Sequence, residues 1–361
     1  MPSAKPFGYL VALLVPAQLP LAAWLGGRHP QYLDALAWMP LAVLFVLLPV
    51  LDYTLGHDRD NPSPAAAVAL ERQWGYRAFA LAFLPLQLLL LGWSAQHLVT
   101  AGYGVVGVIG WLLSQGVVSG VAAINVAHEL IHKDSRLERA AGGLLLCTVG
   151  YHGFKIEHVR GHHVHVATPL DASTARFGQT VWQFLPRALW HNSRAAWRLE
   201  AQRLRRLGLP PLHPRNEMLG WTGVWLVFAA TAGYLFGAAG LGFFLAQGVL
   251  AASSLEIINY VEHYGLQRRR LADGRYERTT HLHSWNSSYR LSNLLLLQLQ
   301  RHSDHHETPR RRYQALLHHP DSPQLPGGYA AMFVLALVPP LWRRVIDPRV
   351  PQALEGDPQP R

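Results

Sequence analysis

"AFALAFLPLQLLLLGWSAQHLVTAGYGVVGVIGWLLSQGVVSGVAAINVAH", residues 78–128, contains no Asp, Glu, Lys or Arg. A helix needs about 20 apolar residues to cross a bilayer. This run is long enough for two crossings, and "TAGYGVVG" (100–107) offers glycines for the turn between them. A soluble helical core has no need of so long an uncharged stretch. The same pattern returns at 218–255, divided by "FGAAGLG" (236–242), and at 6–27, while 29–51 carries one charge, Asp34. Only 15% of the chain is charged, against about 25% in a typical soluble protein. The pattern predicts an all-α integral membrane protein with six transmembrane helices at 7–26, 32–52, 76–97, 104–127, 218–236 and 241–262.

The short turns near 28, 100 and 238 hold one basic residue between them, Arg28, whereas 129–217 and 263–361 are rich in arginine. The positive-inside rule therefore places those two segments, and both termini, in the cytoplasm. No small-residue cleavage site clearly ends the first apolar run, so a cleaved signal is not expected. The net charge of +10 reads as arginines facing anionic lipid rather than as a nucleic-acid surface. A single cysteine, Cys147, excludes a disulfide framework and a cysteine-built metal centre within the chain.

One membrane domain (1–361) is expected. Helices 1–4 occupy 7–127, a cytoplasmic segment 128–217, helices 5–6 218–262, and a second cytoplasmic segment 263–361. Residues 53–75 read as a polar loop with a helix after Pro64, and 182–208 as a basic helix. "AAGGLLLCTVG" (140–150) is too short to span, and 273–293 is loop-like. The apolar stretch 328–346 is interrupted by Pro339 and Pro340 and is expected to lie at the interface. The tail "QALEGDPQPR" is expected to be disordered.

The uncharged run ends in "HELIH", His128 to His132. Alone, this is the zinc-peptidase signature, with Glu129 as general base. It is not alone. "EHVRGHH" supplies His158, His162 and His163; "RHSDHH" supplies His302, His305 and His306; "NYVEHYG" supplies His263. All nine are expected at one depth, just inside the membrane. Spacings of three and four residues put two rings on one helical face. Nine rings exceed the four ligands of a zinc site, whereas two metals with four or five imidazoles each fit the count. With imidazole ligands and no thiolate, a non-haem di-iron, oxygen-activating site is the natural reading. Glu129, Glu157, Glu262 and Asp304 sit beside these histidines, and Asp171 lies in "ATPLDASTARFG"; each is a candidate to fix the far nitrogen of a ligating ring or an ordinary carboxylate. Among the other eleven histidines, His152, His165, His281 and His283 read as surface or structural groups, with His165 and His283 the hardest to set aside.

"HELIHK", "EHVRGHH", "NYVEHYG" and "LQRHSDHH" together resemble the membrane alkane monooxygenases of the AlkB type. "PVLDYTLG", "VATPLDASTARFG", "HSWNSS" and "LPGGY" extend the resemblance from about residue 40 to 350. The third histidine box and "NYVEHYG" separate it from fatty-acid desaturases and sterol hydroxylases; xylene monooxygenases are harder to separate. The resemblance implies a six-helix bundle with a cytoplasmic di-iron cap ligated by His128, His132, His158, His162, His163, His263, His302, His305 and His306. It implies O2-dependent hydroxylation of the terminal methyl of medium- to long-chain alkanes, in the inner membrane. The alternatives are xylene-type methyl hydroxylation, fatty-acyl desaturation and, further off, a zinc peptidase. No haem, flavin or nicotinamide fingerprint is present, so electrons must come from outside; the resemblance implies rubredoxin, reduced by its reductase. Docking candidates are Arg203, Arg205 and Arg206; Arg268, Arg269 and Arg270; and Arg310, Arg311 and Arg312. Trp38, Leu44 and Phe45 on the second helix are candidates to line the substrate tunnel.

Overall fold

The 78–128 run folds into two helices joined at 101–104, where Gly102 takes φ 74° and lets the chain reverse. Gln87 reaches Ser119 (3.1 Å) and the Trp111 indole donates to the Ser94 carbonyl (3.3 Å), so the pair runs antiparallel. The computed structural model describes residues 8–351. Residues 1–7 and the tail 352–361, the latter expected to be disordered, lie outside the described residues.

In chain order the elements that matter are α1 (Tyr9–Arg28), α2 (Met39–Leu55), α3 (Trp74–Thr100) and α4 (Val105–Ile131). They continue with α5 (Arg136–Thr148), α6 (Val181–Arg206), α7 (Glu217–His263), α8 (His302–Glu307), α9 (Tyr329–Ala336) and α10 (Pro339–Ile346). Among the described residues no sheet forms; only isolated β-bridges occur. The polar helix starts carry the expected caps. Ser135 accepts from the Glu138 amide, Thr180 and Gln183 form a capping box, and Asn216 accepts from two amides of α7.

Four helices are long and apolar enough to span a membrane: α1, α3, α4 and α7. A fifth span arises if Pro30–Leu36 and α2, bent by 49°, are taken together. The expectation of six counted α7 as two helices, and α7 is one 47-residue element broken at Gly237 (φ 66°, ψ −162°), inside the glycine-rich stretch read as a turn. Its two arms meet the same end of α5. Trp221 and Trp225 on one arm pack over Gly143 and Gly150, and Gln247 on the other donates to the Thr148 carbonyl (2.8 Å). The arms therefore fold back on each other. Large apolar side chains such as Leu89, Val227, Tyr234 and Val249 point outward, as a lipid-facing bundle requires. The polar ends of α4 and α7, together with 154–165 and α8, collect at one end of the bundle, where the clustered histidines meet. α9 and α10 are eight residues each and separated at Pro339, so neither is long enough to span.

Candidate metal centre

The nine clustered histidines separate into two groups. In the first, His128, His132, His158, His163 and His305 each bring one ring nitrogen within 4.8 Å of the others; in the second, His162, His263, His302 and His306 do the same. The local backbone explains the division. His128 and His132 stand one turn apart at the end of α4, and His302 and His306 one turn apart on α8. His158–His162 is a π-helical turn. Its wider i→i+5 winding aligns His158 with His163 (Nε2–Nε2 3.0 Å) and turns His162 into the other group, where its Nε2 lies 3.3 Å from that of His306. His305 closes the first group against His163 (3.1 Å), and His302 links His263 (3.1 Å) and His306 (3.0 Å) in the second. The groups adjoin: the rings of His163 and His306 stack with centroids 4.4 Å apart.

This crowding of ring nitrogens is the arrangement a metal centre needs. Every ring is buried except the half-buried His163. Burial, reinforced by neighbouring cations and rings, drives His132, His158, His163, His302, His305 and His306 well below the ordinary imidazole pKa. They are held neutral, the form that ligates. Nε2 of His128 and of His132 has no hydrogen-bond partner, which in a protein interior calls for a ligand. Five and four imidazoles with inward nitrogens fit two metal ions of the iron or zinc class.

The carboxylates divide. Asp171 Oδ2 meets His162 Nδ1 at 2.9 Å, orienting a ring whose Nε2 faces its group. Burial alone would raise the Asp171 carboxyl, but His162 and the Thr174 hydroxyl (2.6 Å) hold it below the usual range. Glu262 approaches His302 Nε2 at 3.3 Å, and Ser284 lies 3.4 Å from His263 Nδ1. Glu129 faces Lys133 (3.0 Å) and the Tyr313 amide, and Asp304 is taken by Arg311, His319 and the Leu317 amide. Neither reaches a ring of the two groups. Glu157 is buried beside His158, its carboxyl pushed well above the usual range by burial and by Asp171 and Glu256. Sequence reasoning passed over Glu256, which accepts from Tyr151 (2.5 Å), Asn192 and Asn259 (both 3.2 Å). Asn192 in turn holds Ser173, whose amide donates to Asp171. The available signal was a charge appearing directly after the uncharged run 218–255.

An apolar cavity of about 100 Å³ leads toward the first group. Leu44 and Phe45 line it with Val121, Ile258, Leu299 and Phe333. Trp38 is not among its walls; its indole donates to the Val106 carbonyl (3.1 Å) at the far end of α4. Asn125 and Leu299 belong both to this cavity and to a smaller hollow walled by His128, Glu129 and His305. They form the neck between apolar space and histidines. The neck is fixed by strained backbone. Leu297 and Gln298 both take positive φ (50° and 61°), at a cost of order 1 kcal/mol or more each. Asn125 donates to the Leu296 carbonyl (3.1 Å) and Gln298 to the Tyr9 hydroxyl (3.0 Å), holding the turn.

The arginines expected to dock a partner are unequal. Arg311 and Arg312 pair with buried Asp304 and Glu138, Arg203 with buried Glu200, and Arg268 donates to the Val164 carbonyl. Arg205, Arg206, Arg269, Arg270 and Arg310 are exposed.

Residues 103–336 match the fatty acid desaturase family model. The chain is 53% identical to alkane 1-monooxygenase 2 of Pseudomonas aeruginosa, over 98% of this chain and 94% of that protein. It is 49% identical to alkane 1-monooxygenase 2 of Alcanivorax borkumensis, over 98% and 93%. Similarity to the hydroxylase component of the Pseudomonas putida xylene/toluene monooxygenase is lower, 33% over 66% of this chain and 63% of that one. With its histidines gathered at the end of an apolar bundle, and with identity near one half across almost its whole length, the chain belongs to the alkane 1-monooxygenase family of membrane oxidoreductases.

Proposed function

We propose that this protein hydroxylates the terminal methyl of n-alkanes dissolved in the bilayer: RH + O2 + 2 electrons + 2 protons gives ROH + H2O. The observation that carries the reading is the apolar cavity whose neck, Asn125 and Leu299, opens on His128 and His305. In this reading the first group holds one iron through His128, His132, His158, His163 and His305. The second holds another through His162, His263, His302 and His306. The irons would supply the oxidising power that an unactivated C–H bond demands and that acid–base side chains lack. The protein does the rest. Leu44, Phe45, Ile258 and Phe333 bind the chain by burying its methylenes, the narrow neck admits its end, and the apolar walls exclude water. Asp171 and Ser284 orient His162 and His263.

The reading includes six crossings, with the arms of α7 taken as two. It places the histidine end on the cytoplasmic face of the inner membrane, as the arginine-rich segments favour. It also includes rubredoxin and its reductase as electron source. Methyl oxidation of an arene is the second reading, supported by the 33% identity to the xylene/toluene enzyme; the higher identity and coverage of the alkane enzymes favour the first. Membranes containing the protein, given n-octane, n-hexadecane and p-xylene under labelled O2 with a rubredoxin system, decide it. Labelled 1-alkanols, lost on substituting any of the nine histidines by alanine but kept in the exposed control His191→Ala, are the expected result. An alkene, or an aryl alcohol alone, would overturn the assignment.

A further inference from the structure

Away from the two groups, His281, Glu307 and His319 bring one ligand atom each within 4.8 Å of one another. They come from three segments: the turn at 281–283, the C-terminal residue of α8, and the loop that follows Tyr313. His281 Nδ1 lies 3.1 Å from Glu307 Oε2, and His319 Nε2 lies 3.7 Å from the same oxygen. In a tetrahedral zinc site with bonds of about 2.0–2.2 Å, neighbouring ligand atoms stand roughly 3.3 Å apart, a spacing these two distances bracket.

A second observation is independent of that spacing. The far nitrogen of His281, Nε2, is held by Asp321 Oδ2 at 2.9 Å. A carboxylate on the outer nitrogen of an imidazole whose inner nitrogen faces other donors is the arrangement that orients metal-bound histidines. Asp171 and His162 make the same arrangement in the second group. The two rings stack nearly parallel, 8° apart with centroids at 4.5 Å. Buried Asp304 adds an oxygen 2.9 Å from His319 Nε2. The three candidate ligands are partly open to solvent, with side chains 21–34% exposed, so an ion could enter without unfolding the site.

We propose that His281, Glu307 and His319 form a third metal site for one divalent cation of the zinc class, separate from the two histidine groups. Glu307 directly follows His306, and Asp304 precedes His305, so occupancy ties α8, which carries three of the nine histidines, to the 281–283 turn and the 319–321 loop. The site acts on the main centre by bracing that helix.

The test uses purified full-length protein with its main centre loaded, dialysed against micromolar Zn2+ while iron and zinc are both quantified; Co2+ replaces Zn2+ where a visible spectrum is wanted. The expected result is one zinc per chain with iron unchanged, and a rise of a few degrees in Tm on zinc addition. His281→Ala and His319→Ala should lose the zinc while keeping the iron. Asp321→Asn, on an exposed residue, should weaken uptake by about tenfold or more. Absence of uptake overturns the proposal and leaves His281 as an ion-pair partner of Glu307 and Asp321. Uptake matched by iron loss, or uptake unchanged in His281→Ala, overturns it as well.

Discussion

At the scale of single residues, the side chains that orient a histidine differ from those that merely neighbour one in sequence. Glu129 and Asp304 stand beside clustered histidines in the chain, yet their carboxylates reach none of the nine rings: Glu129 is taken by Lys133, and Asp304 by Arg311 and by His319, outside the two groups. Asp171, nine positions from His162, reaches its ring at 2.9 Å. Asp171→Asn keeps an acceptor but loses the charge, so metal affinity should fall roughly 10–100-fold; retention of iron under a chelator challenge measures it, and unchanged retention would remove Asp171 from this role. Glu200, on α6, makes a stability claim. Burial would raise its carboxyl, but Arg203, the Glu217 amide and Arg160 outweigh burial and bring it to about 2. A carboxyl lowered on folding stabilises above its unfolded pKa, and that contribution is lost as pH falls toward the folded value. Glu200→Gln should therefore lower Tm at neutral pH, and the gap to the unsubstituted protein should narrow between about pH 4.5 and 2. A gap independent of pH would show that the ion pairs contribute nothing.

At the scale of elements, three π-helical stretches mark the functional region: Val43–Leu47, Gly120–Asn125 and His158–His162. The first two contribute Leu44, Phe45, Gly120 and Asn125 to the cavity, and the third divides the histidines between groups. Such turns leave no mark in a pattern of apolar spacing, because one extra residue per turn shifts a face without changing composition. That is why the clustering of the nine histidines was legible in the sequence while their division into two groups was not. Gly102 and Gly237 were legible as chain reversals because an uncharged run must turn somewhere and glycine permits positive φ. Leu44 projects into the cavity from the first π stretch, beside Phe45, which stacks on Phe333 with centroids 4.9 Å apart. An indole there would fill space that a long chain needs. Leu44→Trp should raise the ratio of octanol to hexadecanol several-fold with octane turnover largely kept. An unchanged ratio with intact activity would mean the alkane does not pass Leu44. Trp38, one helical stretch earlier, is the contrasting control: bonded to the Val106 carbonyl outside the cavity walls, its replacement by Phe should leave chain-length preference as it was.

At the scale of the whole molecule, the proposed reading brings substrate through the apolar cavity and electrons through the arginine-rich face, so the two would reach the histidines from different sides. Charge counting alone treats all nine candidate arginines as equivalent. Packing separates them, because an arginine paired with a buried carboxylate stabilises the fold and has little charge left for a partner. Arg312 makes two bonds to Glu138, which is wholly buried (2.7 and 3.2 Å), and Arg311 secures Asp304 on α8. Arg269, Arg270 and Arg310 remain exposed, the first sharing Glu277 (3.1 Å) and the last only loosely near Asp134 (3.7 Å). An acidic donor protein would feel these charges mainly as a faster encounter, weakened by salt. Raising ionic strength from about 0.02 to 0.5 M shortens the screening length from roughly 20 Å to about 4 Å. Over that range the rubredoxin concentration giving half-maximal turnover should rise several-fold, with the maximal rate nearly constant. Changing Arg269, Arg270 and Arg310 together to Gln should flatten that dependence. Arg311→Gln and Arg312→Gln should instead lower Tm, because each leaves a buried carboxylate short of its partner. A salt dependence that survives the triple substitution would move the docking surface to Arg205 and Arg206 at the end of α6. A half-maximal concentration flat across salt in the unsubstituted protein would remove electrostatic docking altogether.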